Sequence, residues 1–314
     1  MVAPAGTPAV RGRAARRPAP DRGTGPRSRG LSRTRFLGRW AGLAPFALYA
    51  ALFLGVPTVS VVIGSFQDNS GHPTLSNVSA AAHGIYLRAF LESIRLSAAA
   101  AVIGAVLGLV LALAMASSPR GRLLRHVVTS ASGVFANVGG VPLAFMFIAT
   151  LGNLGMVTRA LAAMGLDIYN AGFSLFSFTG LVVVYVYFEI PLMVLMILPA
   201  VDGLKIQWGE AAANLGASRW RYWRHVGGPL LLPAFLGALL LLFTNAFAAY
   251  ATAYALTTGT IPIVPIQIGS LLSGNVLVDQ QNLGKALGLG MILVVAVVMA
   301  LYAWLQRRTS RWLR

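Results

Sequence analysis

Cysteine is absent from this 314-residue chain, and charged residues of both signs are scarce. Without cysteine the protein can form neither a disulfide framework nor a cysteine-based metal site. Charged residues make up 11% of the sequence, against about 25% in a typical soluble domain. The four histidines, at positions 72, 83, 126 and 225, are scattered without the spacing of metal ligands. These shortages argue against an ordinary soluble domain and lead us to expect no metal site.

Motifs for nucleotide chemistry and for nucleophilic catalysis are also missing. A phosphate-binding loop needs an earlier glycine and a serine or threonine after Gly-Lys, but Gly284-Lys285 is followed by Ala286 and lacks the earlier glycine. The sequence contains no Gly-x-Ser-x-Gly nucleophile turn. We therefore expect that the chain has no catalytic residues, binds no cofactor, and is not an enzyme by itself.

Long apolar runs dominate the sequence, in which 57% of residues are hydrophobic. Each run is long enough to cross about 30 Å of hydrocarbon as an α-helix, at about 1.5 Å per residue. Strands are disfavoured, because the runs are continuous and lipid tolerates strands only in closed barrels. The sequence thus predicts an all-α membrane protein with six transmembrane helices. The runs are 41–66, 93–116, 127–151, 173–199, 230–256 and 284–305.

The segments around these runs divide the chain into four parts. Residues 1–38 are rich in Arg, Pro, Gly and Ala, with Asp21 as their only acid, so we expect a disordered basic segment. Residues 39–88 are expected to form the first helix and an outer loop, since the first run exceeds the roughly 7–15 apolar residues of a cleavable signal peptide. Residues 89–306 are expected to form the transmembrane core, and residues 307–314 a basic tail.

Basic residues are concentrated on one side of the predicted membrane. Ten arginines precede the first run, and further groups follow the second, fourth and sixth runs. With an even number of spans these groups share one side, which holds 21 of the 25 basic residues and is predicted to be cytoplasmic, with both termini. Charge sorted in this way indicates contact with membrane lipid and disfavours nucleic acid as a partner. The remaining basic residues are Arg88, Arg95, Arg159 and Lys285.

The segment between the fourth and fifth runs has the pattern of a helix–turn–helix, and reads EAAANLGASRWRYWRHVGGP. The alanine-rich start at Glu210 predicts a short helix that ends at Gly216, which can take the left-handed conformation. Ser218 can cap a second helix running to His225, and the two glycines before Pro229 are predicted to end it. The small side chains of the first helix predict a slim surface that another protein can grip.

This pattern resembles the cytoplasmic EAA loop of the permease subunits of ATP-binding-cassette (ABC) importers. The resemblance implies that residues 203–229 bind a separate ATPase and couple its hydrolysis to transport. Val226 and Gly228 depart from the family pattern, which usually has isoleucine and leucine there. The residues of the predicted coupling site are Glu210, Ala211, Ala212, Gly216, Ala217, Ser218 and Pro229.

Two further segments, 140–145 and 187–200, resemble permeases of polyamine, phosphonate, thiamine, ferric-iron and sulfate importers. The resemblance implies the type I importer permease fold, with a methionine-permease-like core, in the bacterial inner membrane. It also implies three partners: a second permease of different sequence, a cytosolic ATPase dimer that binds ATP and Mg²⁺, and an extracytoplasmic substrate-binding protein. A polyamine such as spermidine or putrescine is the expected substrate, with phosphonate, thiamine and ferric iron as alternatives.

Functions of other classes were weighed against this one. An ion-coupled secondary transporter typically shows internal repeats and paired intramembrane charges. No repeat is visible here, and Glu189 is the one carboxylate well inside a predicted span. A membrane-embedded enzyme needs a cluster of catalytic or metal-ligating groups, which the sequence lacks.

Glu189 heads the candidates for the translocation path, because a charge at mid-bilayer costs about 2.5–3.5 kcal/mol on insertion scales and tends to face a cavity or a partner. It either lines the path, favouring a cation, or hydrogen-bonds the backbone freed at Pro191. The other candidates form pairs whose spacing in the fifth run puts each pair on one helix face, for the path or for packing. These pairs are Asn245 with Thr252, and Tyr250 with Tyr254.

Small residues recur every four positions in the second run, which suggests close helix packing. These residues are Ala100, Gly104, Gly108 and Ala112. Kinks are predicted at Gly139-Gly140 and Pro142 in the third run, and at Pro191 in the fourth.

Overall fold

The computed structural model describes residues 44–117, 121–273 and 280–310. The predictions for residues 1–38 and for residues 311–314 lie outside these ranges. Within them the chain is helical, with one isolated β-bridge between Gln67 and Pro73 and no strand. The α-helices are α1 Ala44–Ala50, α2 Val56–Ser65, α3 Ser76–Ala81, α4 Gly84–Ser117, α5 Gly121–Phe135, α6 Gly140–Leu151, α7 Met156–Ala163, α8 Phe178–Asp202, α9 Ile206–Asn214, α10 Arg219–Tyr222, α11 Gly228–Ala248, α12 Ala251–Thr257, α13 Val264–Leu272 and α14 Gln281–Ser310.

The first residues described belong to a unit that ends at Val56, and the remainder of the chain forms a second unit. In the first unit, α1 runs into a π-helical turn, Ala51–Gly55, and the rings of Tyr49 and Phe53 stack at 4.9 Å. Its side chains are mostly exposed and apolar, as expected of a helix that contacts lipid.

Six helical segments of the described chain are long and apolar enough to cross a membrane. This confirms the prediction of an all-α protein with six transmembrane helices. The segments are Ala44–Ser65, Gly84–Ser117, Gly140–Ala163, Phe178–Asp202, Arg219–Ala248 and Gln281–Arg307.

The third predicted run is two helices, which corrects the expectation of a single kinked helix over 127–151. Helix α5 ends at Phe135, and α6 begins at Gly140, whose φ of +71° is incompatible with a continuing right-handed helix. Pro142 in the first turn of α6 favours a helix start there, because its missing N–H needs no partner at that position. The glycines and the proline therefore start a new helix.

The fifth predicted run, 230–256, is also interrupted. Helix α11 ends at Ala248, Ala249 is extended with ψ 114°, and α12 begins at Ala251. Helices α6 and α12 pack against each other, so the two interruptions lie side by side.

Helices α5 and α6 together follow the length of α8. Helix α5 begins beside the end of α8, where Arg125 pairs with Asp202. Helix α6 ends where Tyr169, in the loop leading to α8, donates its hydroxyl to the carbonyl of Leu151 at 2.9 Å. The third of the six apolar segments named above, Gly140–Ala163, consists of α6 and α7 and does not include α5. These contacts favour α5 together with α6 as the third crossing. Helix α5 contacts the last residue of α8, and the end of α6 contacts the loop that precedes α8.

Helix α4 packs along α8 through its small residues, and α11 packs against both helices. A Cβ atom on Gly104 would lie 2.5 Å from Cβ of Glu189, and one on Gly108 would lie 2.6 Å from Cβ of Met193. The four-residue repeat therefore lies in the buried contact between α4 and α8.

Candidate functional site

The turn of the predicted coupling loop is closed by backbone hydrogen bonds. Gly216 has a φ of +73°, its N–H donates to the carbonyl of Ala213 at 2.9 Å, and the N–H of Ala217 donates to that of Ala212 at 2.9 Å. This pair of bonds is the Schellman arrangement that ends a helix with a left-handed residue. The Ser218 hydroxyl then accepts from the N–H of Arg221 at 3.3 Å and caps α10. The predicted helix end and cap are both present.

Two details of the loop differ from the sequence-based expectation. Helix α9 begins at Ile206, so Glu210 lies in its second turn and is not placed to cap the helix start. The second helix does not end before Pro229, because a π-helical turn, Trp223–Gly227, carries it without interruption into α11.

The two glycines before Pro229 have a packing role. A Cβ atom on Gly227 would lie 2.7 Å from the ring of Trp223, and one on Gly228 would lie 2.7 Å from its carbonyl oxygen. The glycines let the backbone fit around Trp223 at the π turn. Pro229 lies in the first turn of α11, where the missing N–H is tolerated.

The loop carries several exposed apolar side chains. Three side chains of the loop are strongly exposed: Ile206 at 81%, Leu215 at 87% and Trp220 at 74%. Ala211, in α9, is also exposed.

A pocket of about 310 Å³, named the central pocket below, opens where the two helix interruptions meet. Thr252 joins them: its hydroxyl accepts from the N–H of Gly140 at 2.8 Å and lies 3.2 Å from the carbonyl oxygen of the same residue. The lining is uncharged and comes from α5–α6, α8 and α11–α12. It consists of Ala136, Asn137, Gly139, Gly140, Phe188, Asn245, Ala248, Ala249, Tyr250, Ala251 and Thr252.

The chain matches a known family over most of its length. Residues 104–313 match the family described as binding-protein-dependent transport system inner membrane component. The chain belongs to this family. Its members are the inner-membrane permeases of ABC importers, in which the ATPase is a separate subunit.

Two curated relatives come from Escherichia coli strain K12. The molybdenum transport system permease protein ModB is 26% identical over 176 residues, which cover 55% of this chain and 70% of ModB. The thiamine transport system permease protein ThiP is 26% identical over 115 residues, which cover 37% of this chain and 21% of ThiP.

Solved importers share the fold. A chain of a bacterial alginate ABC transporter, in complex with its alginate-bound periplasmic protein, aligns with a TM-score of 0.69 and 18% identity over 88% of this chain and 96% of that one. A chain of the methionine transporter MetNI aligns with a TM-score of 0.51 and 15% identity over 71% and 94%. The predicted importer-permease fold with a methionine-permease-like core is therefore confirmed.

Three of the predicted path residues line the central pocket of the permease: Asn245, Tyr250 and Thr252. Asn245 and Thr252 do not share one helix face, contrary to the prediction, because the helix is interrupted between them. The break brings both residues to the pocket. Tyr254 is not among the lining residues and stacks on Tyr250, with ring centroids 5.4 Å apart.

Glu189 lies behind the pocket and does not line it. Its side chain is fully buried, its Oε1 accepts from Nδ2 of Asn245 at 3.1 Å, and its Oε2 has no hydrogen-bond partner among the described residues. Gly104 of α4 packs on its Cβ. The carboxyl group is therefore buried between α4, α8 and α11, where its hydrogen bond holds the pocket-lining side chain of Asn245 in place.

Tyr185 also supports the pocket, and the sequence-based reasoning missed it. Its hydroxyl donates to the carbonyl of Ala249 at 2.8 Å, which satisfies one backbone group freed where α11 ends. A tyrosine within an apolar span needs a partner for its hydroxyl, and that requirement was the available signal.

A second pocket, of about 440 Å³, lies at the end of α8 that begins with Phe178. Arg88 and Arg95 of α4 both line it, together with Glu92, which pairs with Arg95 at 3.1 Å. Thr260 and Pro262 form part of the opposite wall. Two of the four basic residues that the sequence places near the outer side therefore meet at this pocket.

Proposed function

We propose that this permease forms part of a translocation path and couples it to a cytosolic ATPase through residues 203–229. The observation that carries the proposal is the coupling loop itself: a rigid turn closed at Gly216, bearing apolar side chains that the chain does not cover. A partner that grips such a knob can move it without unfolding it, since both backbone bonds of the turn are internal. Gly216, Ala217 and Ser218, which are among the loop residues predicted from the sequence, take part in the turn or in the cap that follows it.

The proposal includes the remaining partners and the orientation. A second permease, of different sequence, closes the central pocket on the side that this chain leaves open, and an extracytoplasmic binding protein delivers the substrate. Both termini and the coupling loop lie in the cytoplasm, as the distribution of arginines favours. Within this arrangement the arginine-lined pocket lies at the outer end of the path.

For the substrate we propose an anion. One relative is named for molybdenum transport, and the alginate transporter is described as importing an acidic polysaccharide. In this chain the outer pocket carries two arginines and one glutamate, and the central pocket is uncharged. The expectation of a polyamine had two supports, segment resemblance and Glu189, and the buried position of Glu189 behind Asn245 weakens the second.

The coupling proposal is tested by two loop variants in the assembled complex. Gly216→Val forces a β-branched residue into positive φ, and Ala212→Asp adds bulk and charge to the half-buried side of α9 beside the turn. We expect both proteins to insert in the membrane but to lose ATPase co-purification or ATP-dependent uptake in vesicles.

Matched controls lie at the far end of the molecule. Gly165→Val imposes the same strain at φ +83°, and Ala160→Asp adds the same charge to the exposed side of α7. Both controls should keep ATPase binding and uptake. Normal uptake by both loop variants would show that residues 203–229 are not the coupling site.

The substrate proposal is tested by competition for uptake in vesicles that contain the whole importer. Molybdate and a carboxylated oligosaccharide serve as anionic probes, and spermidine serves as the cationic probe. We expect an anion to be taken up or to compete, and Arg88→Glu to weaken its uptake more than Arg159→Glu, which reverses an exposed arginine outside the pocket. Uptake of spermidine with no response to either anion would overturn the proposal.

A further inference from the structure

An ion pair joins two helices next to the coupling loop. Arg125 of α5 pairs with Asp202, the last residue of α8, although they are 77 residues apart in sequence. A second ion pair, Arg95 with Glu92, lies within α4. Arg125 with Asp202, by contrast, links two separate elements.

The pair lies at the base of the coupling loop. Asp202 is followed by residues 203–205, which lead directly into α9. A pocket of about 360 Å³ separates the loop base from the transmembrane helices, and it is lined by both members of the pair together with Leu204 and Ile206. Space is therefore present for the base of the loop to shift, and the ion pair bridges the helices beside that space.

Helix α5 extends from this pair to the central pocket. It has 15 residues, which corresponds to about 22 Å, and it packs along α8. Arg125 lies in its first turns, and Ala136 and Asn137, directly after its last residue, line the central pocket. The amide of Asn137 donates back to the carbonyl of Gly133 at 2.8 Å, which fastens the lining to the helix end. One rigid helix thus contacts the loop base at one end and the pocket at the other.

Membrane topology alone does not account for the pair. Arginines between the second and third spans follow the positive-inside rule whatever they contact. Asp202 has no such explanation, because acids contribute little to that rule and the whole chain has only eight. A specific partner for Arg125 does explain an acid at this position.

We propose that Arg125 and Asp202 form a mechanical tie that transmits displacement of the coupling loop to α5 and so to the central pocket. This inference rests on the proposed function, because it requires an ATPase to move the loop. The two residues act as positioning residues and contact neither substrate nor nucleotide. Without the tie, ATP hydrolysis continues but no longer rearranges the pocket.

The test uses the whole importer in proteoliposomes, with ATP hydrolysis and substrate uptake measured in the same vesicles. The variants are Arg125→Asp, Asp202→Arg and the double variant that exchanges the charges. We expect each single variant to keep ATPase co-purification and ATP hydrolysis. Uptake per ATP should fall by at least about fivefold, which is the lower end of the effect that one site usually has on another to which it is coupled. The double variant should recover most of the loss.

Two features keep the result interpretable. An exposed ion pair contributes little to stability, so the single variants are expected to fold, and their thermal midpoints should match the wild type. Arg122→Asp is the control for Arg125→Asp. It makes the same charge reversal three residues earlier in α5 and should leave uptake per ATP unchanged.

Three results would overturn the tie. The first is failure of the charge exchange to restore uptake per ATP. The second is an equal loss in Arg122→Asp, which would show a topology effect. The third is loss of ATPase co-purification in both single variants, which would place the pair in the docking surface. A failure of the proposed function gives a different result: the wild-type importer itself would lack ATP-dependent uptake. The proposed tie would then fail as well.

Discussion

At the scale of single residues, the buried carboxyl group of Glu189 has the clearest consequence. The group is fully buried and accepts a hydrogen bond from the Asn245 amide at 3.1 Å. We therefore expect its role to be the positioning of this pocket-lining amide. A glutamine can accept that bond through its own Oε1, whereas leucine leaves the Asn245 amide without an acceptor.

We therefore expect Glu189→Gln to keep near-normal stability and uptake, and Glu189→Leu to destabilise the permease by about 1–3 kcal/mol. Thermal unfolding of the purified complex and uptake in vesicles measure the two effects. If Glu189 instead contacted substrate, Glu189→Gln would change substrate preference while leaving stability alone, which would contradict this positioning role.

Residue types in the coupling loop were predictable from the sequence because the chemistry there is local. A glycine at a helix end and a serine before the next helix act through bonds to residues within five positions, as Gly216 and Ser218 do. Tyr185 and Arg125 were not found, because their partners lie 64 and 77 residues away. Sequence spacing carries no signal for such contacts.

At the scale of helices, the close contact of α4 with α8 depends on the absence of side chains. Gly108→Ala would place a Cβ 2.6 Å from Cβ of Met193 and 2.9 Å from the carbonyl oxygen of Ile190, so the helices must separate. We expect a loss of about 1–3 kcal/mol, as for overpacked cores.

The matched control is Gly133→Ala in α5, where a Cβ would meet nothing within 4 Å. Helix propensity should make this change neutral or stabilising by up to about 1 kcal/mol. Thermal midpoints of the two purified variants compare them directly. Equal midpoints would show that α4 and α8 do not need the glycine at 108.

Hydropathy found the six apolar segments but not the interruptions within two of them. For the third run, the Gly139-Gly140-x-Pro142 pattern is visible in the sequence, but apolar residues continue on both sides of it and therefore predict a kink and not a break. For the fifth run there was no signal: alanine, alanine and tyrosine at 248–250 are ordinary helix residues. That break depends on tertiary bonds, namely Tyr185 to Ala249 and Thr252 to Gly140.

At the scale of the whole molecule, six crossings and the arginine distribution predict that both termini lie in the cytoplasm. Reporter fusions at residues 30 and 314 should both report the cytoplasm, and a fusion at Gly165, in the turn after α7, should report the outer side. One terminus on each side would contradict six crossings. A cytoplasmic report from residue 165 would contradict α5 with α6 as the third crossing.

The bond between Gly140 and Thr252 has a consequence for how the protein is made. Helix α6 alone has 12 residues, about 18 Å, which is too short for about 30 Å of hydrocarbon, and its first N–H finds its acceptor 112 residues later. At a translation rate of about 5–20 residues per second, the nascent chain waits roughly 6–22 seconds for that acceptor. During this interval an interrupted span with an unpaired backbone group is in the bilayer or beside the insertion machinery. The third span therefore completes the bonding of its interruption only after the fifth has been made.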